Sequence, residues 1–167
     1  MKFGFLKGRS TVLQLLHIMG KWTECLESGG QINATYSDFK KASFLWGSSQ
    51  LLQKLKLYTL NENVVNWIKS FLRYRKQRVK LNSFYSEWTE YLSGIPQGTT
   101  LGPILFIIYI NDLADLCQQF VEIYLFANDA NAYKHISEDD QVSLQMGLDV
   151  LQEWSDRWLL KLNISKC

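Results

Sequence analysis

The sequence predicts an α+β fold, and three observations carry that expectation. Some stretches repeat apolar residues at helical spacing and others alternate strictly, so both periods are present. The two kinds of stretch are interleaved with hairpin-like returns and do not follow a regular βαβ order. No internal repeat or low-complexity run occurs, and the two prolines, Pro96 and Pro103, make no linker. At 167 residues the chain is sized for one domain around one core.

Ser10 or Thr11 can cap a first helix whose stripe is Leu13, Leu16, Met19 and Trp22, ended by Gly29-Gly30. Residues 31–39 alternate as a strand, with Ile32, Ala34 and Tyr36 on one side and Asp38 closing that face. Residues 49–58 and 62–74 read as two helices around Asn61. Leu51, Leu52, Leu55 and Tyr58 stripe the first; Val64, Val65, Ile68, Phe71 and Leu72 stripe the second. Residues 77–82 and 87–92 read as strands joined by Ser83-Phe84-Tyr85-Ser86, and residues 93–98 as a loop. Pro103 fits the first turn of a helix over 104–116. Val121, Ile123 and Leu125 alternate as a strand, Asn128-Asp129 reads as a turn, and residues 130–136 return. Residues 137–140 form a variant capping box for a long helix striped by Leu144, Leu148, Leu151, Trp154 or Ser155, and Trp158. Residues 159–164 read as a last strand.

Composition removes several classes. Hydrophobic residues at 47% and charged residues at 20% exclude a disordered chain. No apolar run approaches the ~20 residues of a membrane span, and no apolar core of a signal peptide is visible, so no membrane partner is expected. Cys25, Cys117 and Cys167 are too scattered for a disulfide framework or a zinc site. They suit a reducing, intracellular setting, nucleus or cytoplasm. The formal charge of +2 hides a division. Residues 1–80 hold 14 Lys and Arg against 4 Asp and Glu, and residues 81–167 hold 4 against 12. The basic half suits a polyanion and the acidic half suits cations; two solvated faces of opposite sign are the plainer alternative.

Three places can carry chemistry. Asp38 and Asp129 both stand at strand ends. If the strands are neighbours, their carboxylates meet at one edge, where oxygen ligands suit Mg²⁺; otherwise Asp129 is an ordinary turn residue. Lys69, Arg73, Arg75, Lys76, Arg78 and Lys80 form an acid-free run interleaved with Trp67, Phe71 and Tyr74. Such a run fits a nucleic-acid backbone, or else a helix end complementing its dipole. The glycine-rich stretch 93–103 runs into a helix N-terminus, where backbone can approach a phosphate; an ordinary connection explains it equally.

A resemblance adds to these readings. The run SGIPQGTTLGPILFIIYINDL (residues 93–113) resembles the template- and nucleotide-contacting motif of reverse transcriptases from non-LTR, LINE-type retrotransposons, Jockey-like elements in particular. FGFLKGRST (3–11) resembles the fingers motif of that family, and YSDFKKA (36–42) its first metal-binding motif. WIKSFLRYRKQRVKLN (67–82) resembles the segment between, and YLFANDA (124–130) the second metal-binding motif, written F-A-D-D in active members. WSDRWLLKLNISKC (154–167) resembles the late palm motif. The motifs follow the family's order and span essentially the whole chain.

The resemblance implies a right-hand polymerase: a palm with a small antiparallel sheet backed by helices, partial fingers, and no thumb. Residues 1–167 would be one domain fragment. Residues 36–42 and 93–167 would form the palm core, with 1–35 and 49–92 supplying the fingers, palm helices and hairpin. The implied activity is RNA-directed DNA polymerisation with two Mg²⁺, adding deoxynucleoside triphosphates to a DNA primer on an RNA template. By motif match, Asp38 and Asp129 are metal ligands, Asn128 stands at the second essential aspartate, and Lys166 matches the lysine that protonates departing pyrophosphate. Lys7 and Arg9 match the region near the incoming triphosphate. Ser43, Pro96, Gln97 and Gly98 match nucleotide and template contacts.

Two departures bear on activity. Asn128 offers one neutral amide oxygen where a carboxylate offers a full charge and two oxygens. Residues 43–48 read SFLWGS where the family reads F-D-x-V-x-H, so Ser43 replaces the aromatic under the incoming sugar. These departures imply impaired catalysis, and leave open a non-catalytic RNA- or DNA-binding remnant or a functionless fossil of a mobile element. Six consecutive mismatches inside in-register flanks are what a frameshift and its reversal produce, and they are expected to leave apolar surface exposed in that loop. The coding DNA tests this: read in an alternate frame across these codons, it should spell something close to F-D-x-V-x-H. Unrelated residues or stops in both alternate frames mean ordinary divergence.

Overall fold

The computed structural model describes residues 1–40, 48–90, 94–95, 98–136 and 140–166. Its centre is a three-stranded antiparallel sheet in the order β1 (Gln31–Asp38), β7 (Asp129–Ile136), β6 (Glu122–Phe126). The N-terminal segment extends the outer edge of β6. Phe3 N–H donates to Leu125 O at 2.8 Å, and Leu125 N–H donates to Met1 O at 2.8 Å.

Strand alternation gives the sheet two covered faces. Ile123, Leu125, Ala130 and Ala132 point into the main core. That core is built by helices α2 (Ser48–Leu57), α3 (Glu62–Leu72), α4 (Leu101–Tyr109), α5 (Leu113–Cys117) and α6 (Asp140–Trp158). Tyr124 and Tyr133 point the other way and pack with Phe3 and Ile18, the latter from helix α1 (Thr11–Glu27). Ser10 Oγ caps α1 by accepting from Leu13 N–H at 3.2 Å, and Asn61 Oδ1 caps α3 by accepting from Asn63 N–H at 2.9 Å.

Several sequence expectations are corrected. The stripe assigned to α1 is mostly outside: Leu13, Leu16 and Met19 are exposed, while Gln14, Ile18 and Cys25 are buried and Trp22 is half-buried. The helix carries two neighbouring apolar stripes, and the one bearing Ile18 and Trp22 meets the tyrosines of the sheet. The expected strand pair over 77–92 is a ribbon of four short strands: β2 (Lys76–Gln77), β3 (Lys80–Leu81), β4 (Phe84–Tyr85) and β5 (Thr89–Glu90). β2 pairs with β5 and β3 with β4, so Phe84 and Tyr85 are strand residues and the loop is Asn82-Ser83. Asn82 makes that turn with a φ of 53°. The single helix expected over 104–116 is two, because the chain bends at Ile110–Asp112. The last strand is a single bridge, Phe39 to Leu162, followed by a 3₁₀ turn at Ile164–Lys166. Leu159 at φ 56° ends α6, and Leu160 O is then taken by Ser155 Oγ at 2.8 Å. The expected cap over 137–139 and the loop at 43–47 lie outside the described residues.

One cation sits inside the core. Lys54, 1% exposed, reaches from α2 to the α4–α5 bend. Its ammonium donates to Tyr109 O and to Asp112 Oδ1, and lies 4.5 Å and 4.2 Å from the ring centres of Trp154 and Trp158. Trp154 Nε1 donates to the same Asp112 oxygen at 3.0 Å. Lys54 thereby ties α2, the α4–α5 bend and α6 together behind the sheet. Burial lowers its pKa to about 8 although Asp112 pulls upward. In the sequence Lys54 sits three residues after Leu51, inside the apolar stripe, which was the signal for it.

Asp112→Ala strands this ammonium and should cost about 3 kcal/mol at pH 7. Folded Lys54 loses its proton above about pH 8, while the unfolded side chain keeps it to its ordinary value near 10.4. The penalty of Asp112→Ala should therefore shrink as pH rises past 8. Urea unfolding at pH 6.5 and pH 9.5 checks this; an equal penalty at both would mean the ion pair contributes nothing.

Candidate active site

The site is set by one register. All eight residues of β1 pair with β7, from Gln31 opposite Ile136 to Asp38 opposite Asp129. Side chains directly opposite in an antiparallel pair have Cβ atoms about 4.5–5.5 Å apart, within the reach two carboxylates need to share an ion. The β6–β7 turn is Ala127-Asn128, so Asp129 belongs to the strand and is not a turn residue as expected. Ala127 takes a left-handed φ of 49° in this turn, which costs an alanine about 1–2 kcal/mol. The N-terminal segment braces the turn. A Cβ on Gly4 would lie 2.3 Å from Ala127 N, so only glycine lets the two backbones meet there.

Asp38 is 8% exposed and its carboxylate is held on both oxygens. Asn128 Nδ2 donates to Oδ1. A carboxylate only accepts, so the amide must turn its nitrogen toward it. Asn163 Nδ2 donates to Oδ2 at 3.1 Å, and Lys166 Nζ lies 3.2 Å from the same oxygen. Backbone bonds fix this frame: Phe39 N–H to Asn128 O at 2.8 Å and Asn163 N–H to Asp38 O at 2.7 Å.

The two carboxyls are pushed apart in pKa. Burial works to raise Asp38, but donation from Asn163, Lys166 and Asn128 outweighs it and holds the group below the ordinary aspartate value. Burial and the negative charge of Asp38 raise Asp129, with Lys166 opposing. Asp38 is thus the more acidic of two neighbouring carboxyls.

The structure brings Asp38, Asn128, Asp129 and Lys166 together and adds Asn163, which the sequence reading missed. Its signal was its place three residues before Lys166, in the late motif. Lys7 and Arg9 are exposed on the N-terminal segment, where the Arg9 guanidinium lies 4.9 Å over the Phe3 ring. Gly98 is exposed at φ 81°, ahead of α4. Ser43, Pro96 and Gln97 lie outside the described residues. Lys69 is half-buried on α3, Arg73 follows its end, and Arg75 stacks 4.3 Å over Phe71. Lys76, Arg78 and Lys80 stand on the ribbon.

In its present form this donor set does not fit two Mg²⁺ ions. The buried carboxylate has both oxygens engaged, and the position beside it is an amide presenting its N–H₂. Among the described residues no three His, Cys, Asp or Glu side chains converge as a metal cluster.

The family model for reverse transcriptase (RNA-dependent DNA polymerase) matches residues 2–167. The chain is 25% identical over 178 residues to the RNA-directed DNA polymerase from mobile element jockey of Drosophila melanogaster, covering 99% of this chain and 19% of that protein. It is 30% identical over 173 residues to the probable RNA-directed DNA polymerase from transposon X-element of the same fly, with coverage of 99% and 19%. The probable RNA-directed DNA polymerase from transposon BS, also of that fly, is 29% identical over 176 residues, again with coverage of 99% and 19%. The chain therefore spans about a fifth of the length of these relatives. Among solved structures, apo telomerase from Candida tropicalis, truncated from the C-terminal domain, aligns with a TM-score of 0.71 at 13% identity. That alignment covers 99% of this chain and 35% of the other, and the likeness is one of fold. No helix among the described residues is long and apolar enough to cross a membrane.

Removing Asn163 should expose the energetics of the cluster. Asn163→Ala deletes a hydrogen bond to a charged, buried acceptor and should cost about 1.5–3 kcal/mol at pH 7. Asp38 has a folded pKa below its ordinary value near 3.9, so its stabilisation is full above that value and lost as pH falls through the folded pKa. The cost of Asn163→Ala should fade over the same acid range. Thermal unfolding from pH 7 to pH 2.5 reads it; a cost independent of pH would mean that the Asn163 side chain does not act through the Asp38 charge, and no cost at all would leave only its backbone bond.

Proposed function

The chain belongs to the reverse transcriptase family of non-LTR retrotransposons, and from that membership we propose that it is a polymerase palm with impaired nucleotidyl transfer. In this reading an RNA template, a DNA primer and deoxynucleoside triphosphates are the ligands the palm descends from handling. The observation that carries the proposal is the hydrogen bond from Asn128 Nδ2 into Asp38 Oδ1. A carboxylate at position 128 would repel Asp38 and Asp129 and leave a concentration of negative charge for cations to neutralise. An amide at the same position supplies a donor, so the cluster is stable with no cation. The substitution removes one ligand and occupies another with a single change. Lys166 contributes in the same direction by placing its positive charge 3.2 Å from Asp38.

A second reading is a binding remnant without chemistry. The aromatic and cationic ribbon favours it, since nothing in that ribbon depends on the state of the carboxylates.

Calorimetric titration with Mg²⁺ or Mn²⁺ tests the first reading. The chain should show no saturable binding at millimolar metal. Asn128→Asp should gain affinity at least tenfold, while losing about 2 kcal/mol of metal-free stability through charge repulsion and the lost donor. Added metal should then recover part of that loss by linkage. Primer extension on an RNA template should be undetectable, and Asn128→Asp alone should not restore strong activity because residues 43–48 depart as well. Tight metal binding or robust extension by the unaltered chain contradicts the reading.

A further inference from the structure

The ribbon holds a feature that charge counting does not describe. Every residue from Lys76 to Glu90 is exposed. On one face, the Arg78 guanidinium lies 4.0 Å from the Tyr85 ring centre and 4.6 Å from the Trp88 ring centre. Lys80, the cross-strand partner of Tyr85, places its ammonium 5.5 Å from the same ring. The result is a Tyr85–Arg78–Trp88 stack standing in solvent, with Tyr85 50% and Trp88 58% exposed. Leu81 pairs with Phe84 one position along, so these side chains project from the opposite face and leave the stack to itself.

We infer that this stack is a binding site for single-stranded nucleic acid that reads the faces of bases. Arg78 lies over both rings and Lys80 over Tyr85, and the area that stays exposed, larger on Trp88 than on Tyr85, is what an unpaired base would stack on. Such stacking tolerates any sequence, because every base has a π-face. The surroundings supply the matching charge: residues 69–90 carry Lys69, Arg73, Arg75, Lys76, Arg78 and Lys80 against Glu87 and Glu90. The arrangement also explains why cations of this run sit over aromatic rings. A guanidinium on a ring stays charged, is held in place, and orients the ring. Paired bases keep their faces inside the duplex, so the site discriminates between single and double strands. The inference does not rest on the carboxylate cluster and holds whether or not that cluster binds metal.

Fluorescence anisotropy with a labelled oligouridylate and with an RNA duplex of the same length, across a salt series, separates stacking from phosphate contacts. Tyr85→Ala with Trp88→Ala should weaken binding of the single strand about tenfold or more. The slope of affinity against salt should stay the same, and duplex binding should be unaffected. Trp88→Phe keeps a ring and should retain most of the affinity, with circular dichroism confirming the fold. Lys76→Ala should instead lower the single-strand salt slope by about 0.7. Wild-type affinity in the double alanine variant would overturn the inference, as would equal loss on duplex and single strand. Loss of concentration-dependent self-association with no change in oligonucleotide binding would also overturn it, assigning the rings to a protein interface.

Discussion

A slip of one residue between β1 and β7 would move Asp38 away from Asp129 and turn the β1 side chains to the opposite face of the sheet. The whole site rests on that register. β7 is held from both faces, with Ala130 and Ala132 in the main core and Tyr133 against Trp22 and Tyr124, and Tyr36 of β1 packs edge-on to the same Tyr133 with ring centres 6.0 Å apart. The Asp38 carboxylate then fastens a third element. By accepting from Asn128, Asn163 and Lys166 it joins the end of β1 to the hairpin turn and to the 3₁₀ turn after α6. A group suited to holding cations between elements here holds the elements directly.

Much of this was legible in the residues. Alternation located β1 and β6, the return after a turn located β7, and the motif order placed Asp38 near the Asn128-Asp129 pair. What escaped has physical causes. The α1 stripe was misassigned because a helix with two apolar stripes does not say which of them finds a partner. Asp129 was read as a turn residue because Asn-Asp resembles turn chemistry, whereas the left-handed position fell on Ala127. Lys54 carried a signal in its place inside the apolar stripe, but its burial depends on Asp112 and two tryptophans far along the chain, which the stripe does not name. Asn163 was missed for a related reason: its side chain matters only once the chain after α6 folds back beside β1.

The uneven distribution of charge along the sequence becomes a division of labour in space. Lys54 is spent inside the core, and Lys166 on Asp38. Of the ribbon cations, Arg78 and Lys80 stand in solvent over aromatic rings. The carboxylate cluster and the cationic ribbon are therefore structurally separate parts of this fold. The Asn128–Asp38 contact and the ribbon share no residue, so a change at position 128 leaves the ribbon chemically intact.

The central claim is that Asn128 keeps Asp38 satisfied without metal. A crystal structure of the chain soaked in Mn²⁺ and measured at the manganese edge tests it most directly. The account predicts no anomalous peak between Asp38 and Asp129, with the Asn128 amide nitrogen still on Asp38. A peak coordinated by both carboxylates, with Asn128 turned to offer its oxygen, would contradict it.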